Sequence, residues 1–150
     1  MRLLMCGLLA SLVLGADVTG VKSVYLLPMA GGLDQYLANR LTGDQVFRVV
    51  TDPKLADAVF TDHLGEAFEK QLTGLYPPPD SAEKEEDDSS KPQQHTSSFG
   101  RGKGTVFLVD LKSRAVVWSG YEGRIGSTPG LLDRTAVRIV QQIKKQQKGK

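Results

Sequence analysis

Short runs of β-branched and aromatic residues alternate along this chain with stretches in which apolar residues recur every three or four positions. Such runs are typical of β-strands, and the periodic stretches present one apolar face, as an amphipathic helix does. The pattern predicts strands at residues 21–27, 46–50, 58–61, 105–109 and 115–121, helices at residues 33–43, 64–74 and 129–143, and a short helical turn after Asp52.

The order of these elements predicts the fold class. It reads β-α-β-(α)-β-α, an insertion, then β-β-α, which is typical of an α/β (α+β) domain with one mixed sheet of about five strands and helices packed on it. A helix joining two parallel strands is expected to cross over in the right-handed sense. In the last helix, Thr128 and Pro129 mark the start, and the apolar face comprises Leu131, Leu132, Ala136, Ile139, Val140 and Ile143.

The first sixteen residues have the layout of a secretory signal. Arg2 precedes an apolar run at residues 3–14, and small residues follow at 15–16. The run is shorter than the roughly 20 residues of a membrane span, so we expect a cleaved signal rather than an uncleaved anchor. Lipidation of Cys6 is the other alternative, although bulky residues precede it. Cleavage would remove Cys6, the only cysteine, and leave a domain at residues 17–150 without a thiol.

Residues 76–104 interrupt this domain and are predicted to be disordered. They combine six acidic residues with Pro, Ser and Gly, and carry almost no apolar side chain that burial could use to offset ordering entropy. A solvated insertion loop is the simpler interpretation, and a functional acidic arm is the alternative.

The charge is unevenly distributed along the chain. The net charge is +2, but residues 101–150 carry eleven Lys or Arg against three acidic residues, a net charge of +8. The basic half ends in a tail containing Lys144, Lys145 and Lys148. This tail could contact an anionic surface, or it could be a soluble helix end whose cations complement the helix dipole. In an exported protein we expect no nucleic acid partner.

The glycine-rich segment at residues 100–105 resembles a phosphate-binding loop but does not match one. A P-loop needs Ser or Thr directly after its lysine, and it joins a strand to a helix. Here Gly104 follows Lys103, and a strand follows both. We therefore interpret the glycines as a flexible lead-in to the hairpin.

Asp62, His63 and Glu66 form the one tight cluster of potential metal ligands. On a helix, His63 and Glu66 would share a face, but a closed zinc site needs four ligands. A helix start explains the same residues, because acids there complement the dipole. We find no partner for proton transfer at His63 and no nucleophile or paired-carboxylate pattern. We predict no catalytic residue, no cofactor and no metal.

Trp118 and Tyr121 fall on opposite faces of one predicted strand. Trp118 shares a face with Val116 and is predicted to be a core residue. Tyr121 is a candidate for an exposed face that contacts a partner, although aromatic residues more commonly fill small cores.

Four segments carry a resemblance to a group of small bacterial envelope domains. In residues 24–29 the first strand ends in Pro28, and in residues 47–52 apolar residues flank Arg48. In residues 56–60 an Ala-Asp-Ala sequence leads into the third strand, and residues 109–120 form a late hairpin that contains Trp118. In this combination the chain resembles the amino-terminal domain of the periplasmic protein TolB, penicillin-binding-protein activator (LpoB-like) lipoproteins and the curli-secretion lipoprotein CsgG. The resemblance implies a non-catalytic envelope module that docks on other proteins, and no functional residue carries over.

We therefore expect an exported, periplasmic or envelope-associated accessory protein that acts through contacts with other envelope proteins. One alternative is a small-ligand or metal-binding protein, or an enzyme, that uses the region of Asp62, His63 and Glu66. The other is a protein that binds the cell wall or a lipid surface through its lysine-rich tail.

Overall fold

The computed structural model describes residues 17–77, 104–123 and 125–149. These residues form one mixed sheet with α-helices packed on it, in the element order that the sequence predicts. Short 3₁₀ turns lie at Val18–Gly20, Ala30–Gly32 and Pro53–Leu55. The strands are β1 (Ser23–Leu26), β2 (Arg48–Val49), β3 (Ala58–Thr61), β4 (Thr105–Asp110) and β5 (Val116–Tyr121), and the helices are α1 (Leu33–Gly43), α2 (Glu66–Leu75) and α3 (Pro129–Lys148).

The sheet runs in the order β2-β1-β3-β4-β5. β1 pairs in parallel with β2 and with β3, whereas β4 is antiparallel to both β3 and β5. It follows that β1, β2, β3 and β5 all point the same way. Their carboxyl ends meet at one edge of the sheet, here termed the carboxyl edge, and each α-helix begins after a strand that ends there.

Each face of the sheet has its own apolar cluster, because successive side chains of a strand point to opposite faces. On one face, Val24, Phe60 and Leu108 belong to the cluster that includes α1 and α3. On the other face, Val59 and Val109 belong to the cluster that includes α2. The helices therefore cover both faces of the sheet.

The start of α2 differs from the prediction. The periodicity predicts a helix from Leu64, but Gly65 is the N-cap with φ 88°, and the helix begins at Glu66. Leu64 thus precedes the helix and is 40% exposed, whereas Phe68 and Leu72 are buried as predicted. The φ value of Gly65 is one that favours glycine, so this residue separates the strand exit from the helix.

Three other details differ from the sequence-based expectations. β2 contains two residues, because it lies at the sheet edge and pairs with β1 at only two positions. Leu131 is 47% exposed and does not belong to the buried face of α3.

Tyr76, which the sequence places in the insertion, packs against the α2 cluster. Its hydroxyl donates a hydrogen bond to the carbonyl of Pro53. Desolvation raises the pKa of this Tyr76 hydroxyl.

Asp57 joins the start of β1 to the turn before β3. Its carboxylate accepts hydrogen bonds from the backbone N–H groups of Ser23 and Lys22, at 2.9 and 3.0 Å, and from the Ser23 hydroxyl at 3.0 Å. These donors, the backbone N–H of Ser23 above all, hold the pKa of Asp57 below its usual value. The carboxylate form of Asp57 is thus favoured in the folded chain.

We expect Asp57→Asn to flatten the acid side of the stability profile. Because the folded-state pKa is lowered, the carboxylate stabilises the fold above the pKa of the unfolded chain, and this contribution is lost as the pH falls through the folded-state value. Urea unfolding of wild type and variant at several pH values between about 7 and about 2 would measure how the free energy of unfolding of each depends on pH. Equal losses of unfolding free energy in wild type and variant would contradict the prediction.

Two sequence-based expectations lie outside the described residues: the secretory signal at residues 1–16 and most of the insertion, at residues 78–103. Within the described ranges, no helix combines the length and the apolar composition that crossing a membrane requires.

Candidate functional site

The carboxyl edge between β1 and β3 has the geometry at which open α/β sheets commonly bind ligands. β1 and β3 are parallel neighbours. The chain leaves β1 into α1 on one face of the sheet and leaves β3 into α2 on the other face. Adjacent parallel strands whose connections diverge in this way form a topological switch point. The residues that follow β3 therefore occupy a favourable position for a site.

Asp62 and His63 come directly after β3 at this switch point. Their side chains are buried, with 2% and 7% of their surface exposed. His63 Nδ1 lies 2.7 Å from Asp62 Oδ1, and Asp62 Oδ2 accepts a hydrogen bond from the backbone N–H of Ala30 at 2.8 Å. Asp62 thus joins the end of β3 to the loop between β1 and α1.

These contacts determine which nitrogen of His63 is available. Since an ionised carboxylate only accepts hydrogen bonds, Nδ1 donates to Asp62, and Nε2 is the acceptor in the neutral ring. Nε2 makes no hydrogen bond within the described ranges. In those ranges, every fully buried side-chain nitrogen or oxygen has a hydrogen-bond partner. Nε2 is therefore the ring nitrogen that has no hydrogen-bond partner among the described residues.

Glu66 does not join this pair, and the expectation that the three residues mark a helix start is wrong for Asp62 and His63. Both precede α2, which begins at Glu66. The Glu66 carboxylate is 83% exposed and pairs with Lys70 at 2.8 Å, and the hydrogen bond from Lys70 lowers the pKa of Glu66. Among the residues that the structure describes, no three His, Cys, Asp or Glu form a group that could hold a metal ion.

Sequence reasoning missed the partner of His63. It found none for proton transfer, whereas Asp62, the preceding residue, holds the ring. The sequence feature that could have revealed this partner is an acidic residue directly before a histidine, at the end of a buried strand. No family model, curated protein or solved structure matches this chain. The geometry itself shows a buried carboxylate–imidazole pair at a switch point.

The two aromatic residues of β5 are separated as the strand alternation predicts. Trp118 is 5% exposed, and its ring packs edge-on against Phe60 with the centroids 6.4 Å apart, so its prediction as a core residue is confirmed. It does not share a face with Val116, however, because an irregularity in the β4–β5 register shifts Val116 to the opposite side. Tyr121 is 72% exposed, and its role as a partner contact stays a prediction.

A column of β5 residues lies uncovered on the face that carries α2. Val116, Ser119 and Tyr121 stand opposite Val109, Phe107 and Thr105 of β4. Val109 and Phe107 contact the α2 cluster, which places all three β5 residues on that face. Val116, Ser119 and Tyr121 are exposed, and they are here termed the open column. The helix that covers β1, β3 and β4 thus stops short of β5.

The lysine-rich tail is part of a regular helix. α3 continues to Lys148, so Lys144, Lys145 and Lys148 are helical residues. Lys144 pairs with Asp44 at 3.2 Å, which brings the carboxyl ends of α1 and α3 together. A shallow groove of about 490 Å³ lies at this end of the two helices, and it is lined by Asp44, Gln141, Lys144, Lys145, Lys148 and Gly149. Binding of an anionic surface here stays a prediction.

Proposed function

We propose that this protein is an exported, non-enzymatic accessory protein of the cell envelope that binds another envelope protein through the open column of β5. The observation that carries the proposal is the exposure of Tyr121, 72% of whose surface is accessible. Tyrosine is enriched at protein interfaces, because its ring buries a large apolar area while its hydroxyl keeps a hydrogen bond. Val116, 45% exposed in the same column, adds apolar area.

The edge of β5 suits a partner that contributes an extended segment. β5 is the last strand of the sheet, so its outer side has no neighbouring strand in the described sheet. Natural edge strands are usually protected by charges, proline or a bulge. β5 has the sequence VVWSGY, without charge or proline, and carries only an irregularity near Val117. A partner strand pairing along this edge would place its own side chains beside Tyr121.

Export and envelope localisation rest on the sequence. The apolar run at residues 3–14 and the small residues that end it support a secretory signal. The resemblance to small envelope domains that dock on other proteins supports the same role. The open column is the surface through which we propose that this protein binds. Because export is expected, the proposed partner is another envelope protein.

A photo-crosslinking amino acid at position 121 tests the contact. We expect it to capture one defined protein from the envelope fraction, identified by mass spectrometry, whereas the same group at Leu55 does not. Tyr121→Ser should then weaken binding of the purified partner about thirtyfold, the effect of losing a tyrosine hot spot. Titration calorimetry would measure the affinity.

Leu55→Ser is the matched control, since Leu55 is an apolar side chain, 64% exposed, in the 3₁₀ turn before β3. We expect it to change the affinity less than twofold, because exposed residues outside an interface have small effects. Equal losses in the two variants would overturn the proposed contact. So would crosslinks that join two copies of this chain through position 121. Recovery of the native protein from the cytosol with Met1 retained would overturn export.

A further inference from the structure

The outward face of α3 carries a row of exposed residues at alternating spacings of three and four. At about 100° per residue, these positions fall within an arc of about 100°, opposite the side that packs on the sheet. All of them are exposed. The row is here termed the α3 stripe, and it consists of Leu131, Arg134, Arg138, Gln141, Lys145 and Lys148.

The α3 stripe contains four basic residues and no acidic one. Asp133 is the only acidic residue of α3, and Arg40 of α1 binds its carboxylate at 2.6 Å. Arg138 pairs with Glu122 at 2.6 Å. Arg134, Lys145 and Lys148 form no ion pair within the described part of the chain. From Arg134 to Lys148 the helix rises about 21 Å. Three cations without an ion pair among the described residues thus lie on one side of the helix.

We propose that the α3 stripe adsorbs this protein onto the surface of an anionic phospholipid bilayer. Charge complementarity supplies the attraction, since basic residues near an anionic membrane each strengthen binding roughly fivefold. The apolar side of α3 is occupied, because Ile139 and Ile143 are buried against the sheet. The helix therefore binds flat on the headgroups and does not insert, which makes the binding reversible and sensitive to salt.

Leu131 favours a bilayer over a soluble polyanion. This side chain is 47% exposed and stands in line with the cations, at the amino end of the stripe. At a membrane surface an exposed leucine reaches the boundary between headgroups and acyl chains and gains from leaving water. A dissolved polyphosphate or polysaccharide offers no such apolar layer. One apolar residue in line with three unpaired cations thus fits a lipid surface.

The α3 stripe is separate from the surface proposed for protein binding. α3 covers one face of the sheet, whereas Val116 and Tyr121 of the open column lie on the other face. A molecule adsorbed through α3 would present the open column to the aqueous side. The membrane proposal therefore stands whether or not the partner proposal is correct.

Vesicle co-sedimentation of the full chain tests the proposal. The variant Arg134→Gln/Lys145→Gln/Lys148→Gln removes the three unpaired charges. On vesicles with about one third phosphatidylglycerol in phosphatidylcholine, we expect a partition coefficient about a hundredfold below wild type. Pure phosphatidylcholine vesicles report any contribution of the apolar residues 3–14, which every variant shares. Raising the salt concentration should weaken wild-type binding to the anionic vesicles.

The matched control removes the same charges elsewhere. Arg48→Gln/Lys54→Gln/Lys112→Gln also replaces one arginine and two lysines, all exposed and without an ion pair among the described residues. We expect it to weaken vesicle binding less than threefold. Equal losses of vesicle binding in the two triple variants would show that only the net charge matters. That result would overturn the proposed role of the α3 stripe.

A leucine variant separates a bilayer from a soluble polyanion. Leu131→Ser should lower partition onto the anionic vesicles several-fold and leave binding of long-chain polyphosphate unchanged, since only the bilayer contains an apolar layer. Unchanged vesicle binding by Leu131→Ser, together with tight polyphosphate binding through the same three cations, would overturn the membrane proposal in favour of a soluble polyanion.

Discussion

Replacing Asp62 by alanine is expected to lower the free energy of unfolding by about 2–6 kcal/mol, because two hydrogen-bond donors lose their acceptor at a cost of roughly 1–3 kcal/mol each. The alanine would leave the backbone N–H of Ala30 and Nδ1 of His63 without the acceptors that they have at 2.8 and 2.7 Å. Both side chains of the pair are more than nine-tenths buried, so water cannot readily replace the carboxylate. Urea unfolding followed by circular dichroism would measure the change.

Glu66→Ala is the control, because Glu66 belongs to the same sequence cluster but is 83% exposed. Its unfolding free energy should match that of wild type within experimental error. Asp62→Asn should lie between wild type and Asp62→Ala, since the amide oxygen can still accept a hydrogen bond from Ala30. If Asp62→Ala unfolds at the same urea concentration as Glu66→Ala, the role of Asp62 in joining β3 to the β1–α1 loop is wrong.

The architecture of this domain is largely encoded in local patterns. The spacing of Leu132, Ala136, Ile139 and Ile143 predicts the buried side of α3, and all four are buried. Asp52 and Pro53 predict a helical start, and Asp52 caps the 3₁₀ turn by accepting a hydrogen bond from the N–H of Lys54. These features depend on neighbours within one or two turns, which is why periodicity and capping rules find them.

The coverage of each sheet face could not be predicted in the same way. The periodicity of α2 shows that Phe68 and Leu72 are apolar neighbours on one side of the helix, but not which strands they cover. α2 has ten residues and α3 has twenty, lengths of about 15 and 30 Å. The open column arises because the shorter helix covers β1, β3 and β4 and leaves β5 bare. That depends on packing between distant segments.

The candidate site was missed for a related reason. Asp62 and Ala30 are 32 residues apart and meet only because β1 and β3 are parallel neighbours with a shared carboxyl edge. The sequence suggested a helix start at Asp62, whose dipole would favour acidic residues there. Gly65 delays the helix, and the chain between β3 and α2 turns both Asp62 and His63 into the interior. Placing the pair correctly required the strand order, which no local pattern contains.

Replacing Gly104 by alanine is expected to destabilise the fold by about 3 kcal/mol, from left-handed backbone strain together with overpacking. Sequence alone favours a flexible lead-in at this position, for which alanine would be tolerated. In the structure, Gly104 has φ +90°, and a Cβ there would collide with the carbonyl oxygen of Gly123. The Gly104 carbonyl also accepts a hydrogen bond from the N–H of Glu122 at 2.7 Å. These contacts close the β4–β5 pair at the carboxyl edge, so thermal and urea unfolding should both detect the change.

Two further alanine variants separate the causes. Gly123→Ala carries strain at φ +67° but meets nothing within 4 Å, so it should cost only about 1 kcal/mol. Gly74→Ala, inside α2 with open space around it, should raise the stability by about 0.5–1 kcal/mol through helix propensity. Because a close backbone approach is unique to Gly104 among the three, its variant must be the least stable. If Gly104→Ala is as stable as wild type, the segment before β4 is a flexible lead-in after all and the close approach to Gly123 does not constrain the fold.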